Sequence, residues 1–407
     1  MNQKNDKVNA IGCDHRSDRD TIYKALKDVT ASLCTSWQRL AKARKIAVKF
    51  NAVWPPDRLP IYAGIYRELV DPKVMHGVLR LLREKTSAEL YVVDTTLTGT
   101  ESDVYFKPLL QELGVHFVNA SKPPVQWMDI PESGLMFNRY YMPQILAEVD
   151  EVVTVAKLKS HRSTGITLGM KNLFGCCPLP PEGRPRSYYH HMVRLPYCMV
   201  DFAMLLKPCL TIIEGLTAQT GQEWGGDGLL TNLLIAGDHV TATDACAARL
   251  MGNDPSGDWP DEPYRRERNY IRLAAEKGFG TIDSSKIDFD SEIRIPAGSF
   301  NSTETDSPEV VFSWRKTACE QGLYYQKHKD LFLEDYENEY IFLQRGKVVW
   351  HGLDLSNLRS RRALSGKFKD ESLYLKFVDA EETEQEHFDV YQRELEAMQR
   401  MEKDNPS

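Results

Sequence analysis

Through residue 293 the chain alternates short apolar runs with longer amphipathic or polar stretches, and this alternation constrains its fold more than any other feature. Ile46–Phe50 (IAVKF), Leu90–Val93 (LYVV), Val115–Val118 (VHFV), Glu151–Ala156 (EVVTVA) and Leu210–Ile213 (LTII) read as strands. The Ile46–Phe50 run is ended by Asn51 and the turn chemistry of Trp54-Pro55-Pro56. Between the runs, Asp71-Pro72 opens a helix with proline at its first position and Val74, Val78, Leu81 and Leu82 on one face. A second helix is expected near Val104–Leu113, and a third over His239–Met251, entered from Leu233–Ala236 and capped by Asp238. A strand covered on both faces is apolar at nearly every position, whereas a half-solvated one alternates. Unbroken runs separated by helices therefore predict an α/β fold with a doubly wound, mainly parallel sheet.

After residue 293 the pattern changes. Pro296–Pro308 (PAGSFNSTETDSP) is polar and loop-like, and Glu339–His351 (EYIFLQRGKVVWH) reads as a hairpin around Arg345-Gly346. A charged helix near Ser356–Leu364, a strand at Leu373–Val378 and a charged helix within Thr383–Met401 follow. The expected organisation is a core domain over 1–293, a linker over 294–330 and a small α+β domain over 331–407. A chain of 407 residues is long for one domain, which agrees with this division.

Composition narrows the function classes. The net charge of −7 argues against broad nucleic-acid binding, which needs a basic field to displace counterions. The polar N-terminus (MNQKNDKVNA) lacks the apolar core of a signal peptide, and no run approaches the ~18 apolar residues of a membrane span. A cytoplasmic protein without membrane or nucleic-acid partners is expected, with self-association into a homo-oligomer left open. The eight cysteines include no C-x-x-C pair, so zinc ribbons and ferredoxin-type clusters are not signalled. Cys176 and Cys177 are adjacent and could act as ligands or redox thiols, although reduced cysteine is more often a small buried hydrophobe.

Ligands of open parallel sheets bind beyond the carboxyl ends of the strands. There the apolar runs give way to Asn51, Asp94, Lys157 with Lys159, and Glu214. Any one of these is an ordinary strand-ending residue; together they predict a crevice. The densest signal is Lys157–Gly175 (KLKSHRSTGITLGMKNLFG), where Lys157, Lys159, His161, Arg162 and Lys171 are interleaved with Ser160, Ser163, Thr164, Thr167 and three glycines. Cations, hydroxyls and close backbone approach are the equipment of an anion site for a carboxylate or a phosphate. Neither P-loop nor dinucleotide-fingerprint spacing is present. A plain basic surface loop is the competing reading, against which the interleaved glycines weigh. His161 with one of His190 and His191 could bind a metal or move protons, since adjacent histidines on an extended segment face opposite ways. Gly221–Gly228 (GQEWGGDG) follows the strand ending at Glu214 and is a candidate lid over the crevice.

The segments VKFN (48–51), KLKSH (157–161), TLGMKNLFG (167–175) and AGDHVTATDACAARLMG (236–252) together resemble the uncharacterised domain-of-unknown-function family 362, over about residues 8–293. Many members carry a ferredoxin-like cluster domain; this chain lacks that cysteine pattern, so an iron–sulfur cluster is not expected. The region around 331–380 resembles another small domain of unknown function. A more distant similarity is to the nickel-pincer lactate racemases, whose catalytic loop has a histidine ten positions before the cofactor-bearing lysine, the separation of His161 and Lys171 here. Where those enzymes have a histidine-bearing T-G-x-H-R segment, this chain has Leu97-Thr98-Gly99-Thr100-Glu101. The resemblance implies the architecture and an anion-facing loop, and does not extend to the nickel cofactor or the racemase reaction.

Three functions fit these observations. The first is an enzyme on a small anionic metabolite, a carboxylate, with proton or hydride transfer: Lys159, Lys171 and His161 are the catalytic candidates, and Lys157, Thr164, Asn172, Asn51, Asp94 and Glu214 bind substrate. Lys171, desolvated beside other cations, would serve as a base or a covalent attachment point. The second is a metal-dependent oxygenase or lyase using His161, His190 and His191, with a metal ion as the one cofactor considered. The third is a non-catalytic binding protein for an anionic metabolite or metal.

Overall fold

The computed structural model describes residues 5–52, 60–95, 103–303, 306–356, 358 and 373–404. The Trp54-Pro55-Pro56 turn, the Leu97–Glu101 segment and nearly all of the helix expected after Ser356 lie outside the described residues.

The expected strands are present, and most are longer than their apolar runs. In chain order the strands are β1 (Asp6–Gly12), β2 (Lys45–Phe50), β3 (Ile61–Tyr62), β4 (Ile65–Tyr66), β5 (Glu89–Asp94), β6 (His116–Asn119), β7 (Val125–Asp129) and β8 (Arg139–Pro143). They continue as β9 (Glu151–His161), β10 (Gly165–Thr167), β11 (Leu210–Thr220), β12 (Asp227–Gly237) and β13 (Ile287–Ser291), then β14 (Tyr340–Gln344), β15 (Lys347–Gly352) and β16 (Tyr374–Phe377). The central sheet has the order β13-β1-β12-β11-β9-β2-β5-β6, with β10 folded back on β9. Strands β6, β5, β2, β9 and β11 run parallel, as do β1 and β13, whereas β12 is antiparallel to both β11 and β1. The fold is thus α/β with a mostly parallel sheet, its antiparallel members being β10 against β9 and β12, where Leu233–Ala236 and its glycine-rich approach pair with β11.

Alternate residues of each central strand feed two apolar layers. In β9, Val153 and Val155 enter the layer beneath the helices Arg19–Thr30 and Pro72–Lys85, while Val152, Ala156 and Leu158 enter the opposite one. The same period puts Lys157, Lys159 and His161 on one side of the strand. Asp71 caps the second of those helices by accepting from the Lys73 amide, with Pro72 at the first position, as expected. The helix Val240–Leu250 is capped by His239, whose Nδ1 accepts from the Thr241 amide at 3.3 Å. Asp238, expected to cap it, accepts instead from the amide of Lys7 on β1.

The C-terminal elements form a three-stranded antiparallel sheet, β15-β14-β16, packed with the helices Pro308–Lys327 and Asp389–Asp404. Residues 308–327, inside the stretch expected to be a linker, are a 20-residue helix with proline at its start. Trp314, Ile341, Tyr374 and Tyr391 share one contiguous apolar layer with Met199 and Phe202 of the helix Arg194–Leu206. Among the described residues, no helix is long and apolar enough to cross a membrane.

Candidate functional site

The KLKSH segment is the second half of β9 and not a loop, and it turns back through β10 by a tight connection. Gly165 sits at φ +75°, and a Cβ there would stand 2.7 Å from the Pro263 carbonyl oxygen, so only glycine fits the turn. The amides of Ser163 and Thr164 both donate to His161 Nδ1, at 3.1 and 3.2 Å. Two N–H donors on Nδ1 place the ring proton on Nε2. Next comes the short helix Gly169–Leu173, anchored from the helix Val240–Leu250 by Asp244, which accepts from the Gly169 and Met170 amides at 2.8 and 2.9 Å. Burial pushes the Asp244 carboxyl up to about 7. Asn172 Nδ2 donates to the Lys49 carbonyl at 2.8 Å and to Thr154 Oγ1 at 3.0 Å, tying that helix to β2 and β9.

These elements wall a pocket of about 360 Å³ whose lining includes Lys49, Asn51, Lys159, His161, Lys171, Asn172, Arg186, His190, Glu223 and Trp224. Four of these are basic side chains. Lys49 is paired with Asp94 at 3.1 Å. Lys159 donates to the Glu68 carbonyl at 2.9 Å and stands 4.7 Å over the Trp224 ring. Lys171 Nζ and the Arg186 guanidinium share the Phe174 ring, at 4.9 and 4.8 Å from its centre. Among the described residues, no carboxylate stands within ion-pair distance of Lys159, Lys171 or Arg186. Burial, reinforced by Arg186, pushes Lys171 well below the usual lysine range, which favours the uncharged amine. Burial also lowers Lys159, to about 8. The acidic groups at the pocket are Asp94, behind Lys49, and Glu223. Burial raises the Glu223 carboxyl, but His161, the Arg162 amide and Lys171 outweigh it and hold it at about 2. Burial holds His161 near 3. At neutral pH the pair is therefore an imidazole whose Nε2–H faces a carboxylate, 3.6 Å away.

Of the residues expected from sequence, Asn51, Lys159, His161, Lys171, Asn172 and His190 come together in this pocket. Asp94 stands one contact behind it, through Lys49. Lys157 and Glu214 do not line it: they form a fully buried ion pair at 2.7 Å, with Lys157 also donating to Thr217 Oγ1 and Glu214 accepting from the Leu216 amide. Thr164 points its hydroxyl at the Ile166 carbonyl and serves His161 through its backbone. Arg162 is turned to Asp306 at 3.1 Å.

The expected metal set is not assembled. His190 ends the short helix Arg186–Tyr189 with its ring 5.7 Å from that of His161, but His191 turns away, towards Tyr374. With its proton on Nε2, His161 has no lone pair to offer a metal on the pocket side. Among the described residues, no group of three or more His, Cys, Asp or Glu side chains is arranged to hold a metal ion. Cys176 and Cys177 are buried, and burial raises both thiols.

Lys49, Arg186, Glu223 and Trp224 complete the site and were not singled out as site residues from the sequence. Lys49 interrupts the otherwise apolar run IAVKF, a signal that could have marked it. Glu223 and Trp224 sit at the tip of the β11–β12 hairpin, which is the glycine-rich stretch expected as a lid. That tip is tethered by the Gly225 amide to Glu68 Oε1 at 2.6 Å. Arg186 lies on the PLPPEGRPR connector, which the C-terminal elements pin from behind. Glu384 accepts from Arg184 and Tyr189, and Glu386 accepts from Arg194 at 2.8 Å.

A family model described as "Domain of unknown function (DUF362)" matches residues 46–249 of this chain. A thylakoid-associated protein of Synechocystis sp. is 27% identical over 223 residues, which cover 51% of this chain and 66% of that protein, just under two thirds of its length. The lactate racemase apoprotein of Thermoanaerobacterium thermosaccharolyticum is a structural neighbour at 13% identity and a TM-score of 0.37, over 61% of this chain and 57% of that one.

Proposed function

This chain belongs to the family described as "Domain of unknown function (DUF362)", a description that carries no activity, and on the geometry of the pocket we propose that it is an enzyme acting on a small anionic metabolite, a carboxylate. The observation that carries this reading is the pair Lys171 and Arg186. Both reach one pocket beside the same aromatic ring, and among the described residues neither has a carboxylate within ion-pair distance. A cation held out of bulk water without a counter-charge is costly unless a ligand supplies that charge.

In this reading Arg186 holds the substrate carboxylate by a two-point contact, a geometry its planar fork favours. The uncharged Lys171 amine removes a proton from the carbon next to the carboxylate. The C–H electron pair then spreads into the carboxyl oxygens, where Arg186, Lys159 and the His161 Nε2–H stabilise the added charge. Return of the proton from Lys171 completes the cycle. His161, fixed as a neutral donor, acts as a hydrogen-bond donor and not as the base.

The test is proton NMR in D₂O with a panel of 2-substituted carboxylates. Wild-type protein is expected to exchange the C2 proton for deuterium, and Lys171→Met to lose about 100-fold or more of that rate. Arg186→Met is expected to weaken substrate affinity by about tenfold or more, the value of one charge-assisted contact. Exchange that persists within threefold in Lys171→Met, or the absence of exchange with every carboxylate, would overturn the assignment.

A further inference from the structure

Glu223 shares the cavity with the cations and is open to it: it lines the pocket and keeps 22 % of its side chain exposed. Its Oε2 accepts from the Arg162 amide at 2.9 Å, and its Oε1 stands 3.6 Å from His161 Nε2. Among the described residues, no lysine or arginine side chain lies within ion-pair distance of it, so no neighbour cancels its charge. The hairpin tip that carries it is tied down. The Gly225 amide donates to Glu68 Oε1 at 2.6 Å, and Gln219 Nε2 donates to the Gln222 carbonyl at 2.7 Å. At the base of the tip the Gly221 amide donates to the Asn301 carbonyl, and the Thr303 amide to the Gly221 carbonyl, both at 3.0 Å. The carboxylate therefore stays beside an arriving ligand unless these bonds break.

The balance of charges then sets how many negative groups the cavity takes. Lys49 is cancelled by Asp94 at 3.1 Å. Burial keeps His161 and His190 uncharged at neutral pH and pushes Lys171 towards its uncharged form. Arg186 and Lys159 remain, two cations against the one carboxylate of Glu223. A single anionic group on the ligand makes up the difference. A second one leaves an excess of negative charge, away from bulk water and in the company of Glu223, and like charges brought together in such surroundings cost affinity.

Resting on the anion reading above, we propose that Glu223 is a specificity-determining residue that restricts the ligand to a carboxylate with a single negative charge. The anionic head lies against Arg186, and the rest of the ligand, which shares the cavity with Glu223, is uncharged. Dicarboxylates and phosphate esters carry a further negative charge at neutral pH and are turned away.

The test is isothermal titration of the full chain at neutral pH with 2-hydroxybutyrate, malate and the methyl ester of malate at its distal carboxyl, in wild type and Glu223→Gln. Malate replaces the terminal methyl of 2-hydroxybutyrate by a second carboxylate, and the ester removes that charge while keeping the length. Glutamine can still accept from the Arg162 amide. The comparison is a ratio within one protein, so any loss of folded material cancels. In wild type both monoanions are expected to bind about tenfold or more tightly than malate, the effect of one like-charge encounter. Glu223→Gln is expected to shrink that gap by about fivefold or more, by relieving malate. Malate binding as tightly as the monoanions in wild type, or a gap that Glu223→Gln leaves unchanged, would overturn this inference and leave the anion reading standing. No binding of any of the three by either protein would overturn the anion reading itself.

Discussion

Replacing Glu386 by glutamine should both destabilise the protein and loosen the pocket. The Glu386 side chain is fully buried, and it accepts from Arg194 at 2.8 Å, Lys376 at 2.8 Å and Tyr391 at 2.7 Å. Burial raises its carboxyl, but Arg194 and Lys376 outweigh burial and hold it at about 2. Against an unfolded value near 4.3, a depression of roughly two units corresponds to about 3 kcal/mol. Removing one partner of a buried ion pair costs about 3–5 kcal/mol by a separate route, since two buried cations lose their counter-charge. The folded carboxyl is depressed, so its contribution is present in full above the unfolded pKa and lost as pH falls through about 2. Urea denaturation of wild type and Glu386→Gln should therefore differ by about 3 kcal/mol at pH 7, with the gap closing as pH falls from about 4.3 to 2. Because Arg194, held here, also donates to the carbonyl of Tyr188 in the short helix that begins at Arg186, anion affinity at the pocket should fall too. A difference below about 1 kcal/mol, the range of an exposed ion pair, or one that does not change between pH 5 and 2.5, would refute the reasoning.

Two further outcomes follow from the same geometry. Gly175→Ala would place a Cβ 2.5 Å from Lys49 Cε and 2.8 Å from its Nζ, forcing Lys49 off Asp94; chemical denaturation should show a loss of up to about 3 kcal/mol, and unchanged stability would mean that the ion pair is not held by that contact. Anion affinity should fall as pH rises above about 8, where Lys159 gives up its charge, by up to about tenfold per pH unit for one linked proton; titration calorimetry between pH 6.5 and 9.5 reads it, and a flat profile would remove Lys159 from the binding set.

The strands could be read because those buried on both faces are apolar at nearly every position, and Ile46–Phe50, Leu90–Val93 and Leu210–Ile213 all fall inside real ones. That rule failed where charged and polar residues continue a strand. Lys157, Lys159 and His161 break the apolar run, so the second half of β9 read as a loop although its backbone continues in the ladder. The first half of β12 was hidden by glycines, and the helix Pro308–Lys327 by the polar stretch before it. Within the site, residues close in sequence could be gathered from the Lys157–Gly175 block alone. Residues brought together by tertiary contacts could not: Arg186 reaches the pocket on a connector held through Arg184 by Glu384, 200 positions away. The lysine count also misled, because nothing local says that Lys157 is spent on Glu214.

The distribution of counter-charges says more about the site than the number of cations. Around the pocket the fold neutralises its basic residues one by one: Lys49 with Asp94, Lys157 with Glu214, Arg162 with Asp306, Arg184 with Glu384 and Arg194 with Glu386. Each pairing is what burial requires of a charge. Among the described residues, Lys159, Lys171 and Arg186 have no carboxylate within ion-pair distance, and all three line the same cavity. If they served stability alone, pairing them would have been the cheaper arrangement, as it is for their neighbours. Burial, reinforced by Arg186 and Lys159, pushes Lys171 well below the usual lysine range. In the proposed reading Arg186 meets the arriving anion and Lys159 takes up the linked proton, which leaves Lys171 as the uncharged base. Under that proposal, anion binding and proton abstraction fall on different side chains of one cavity.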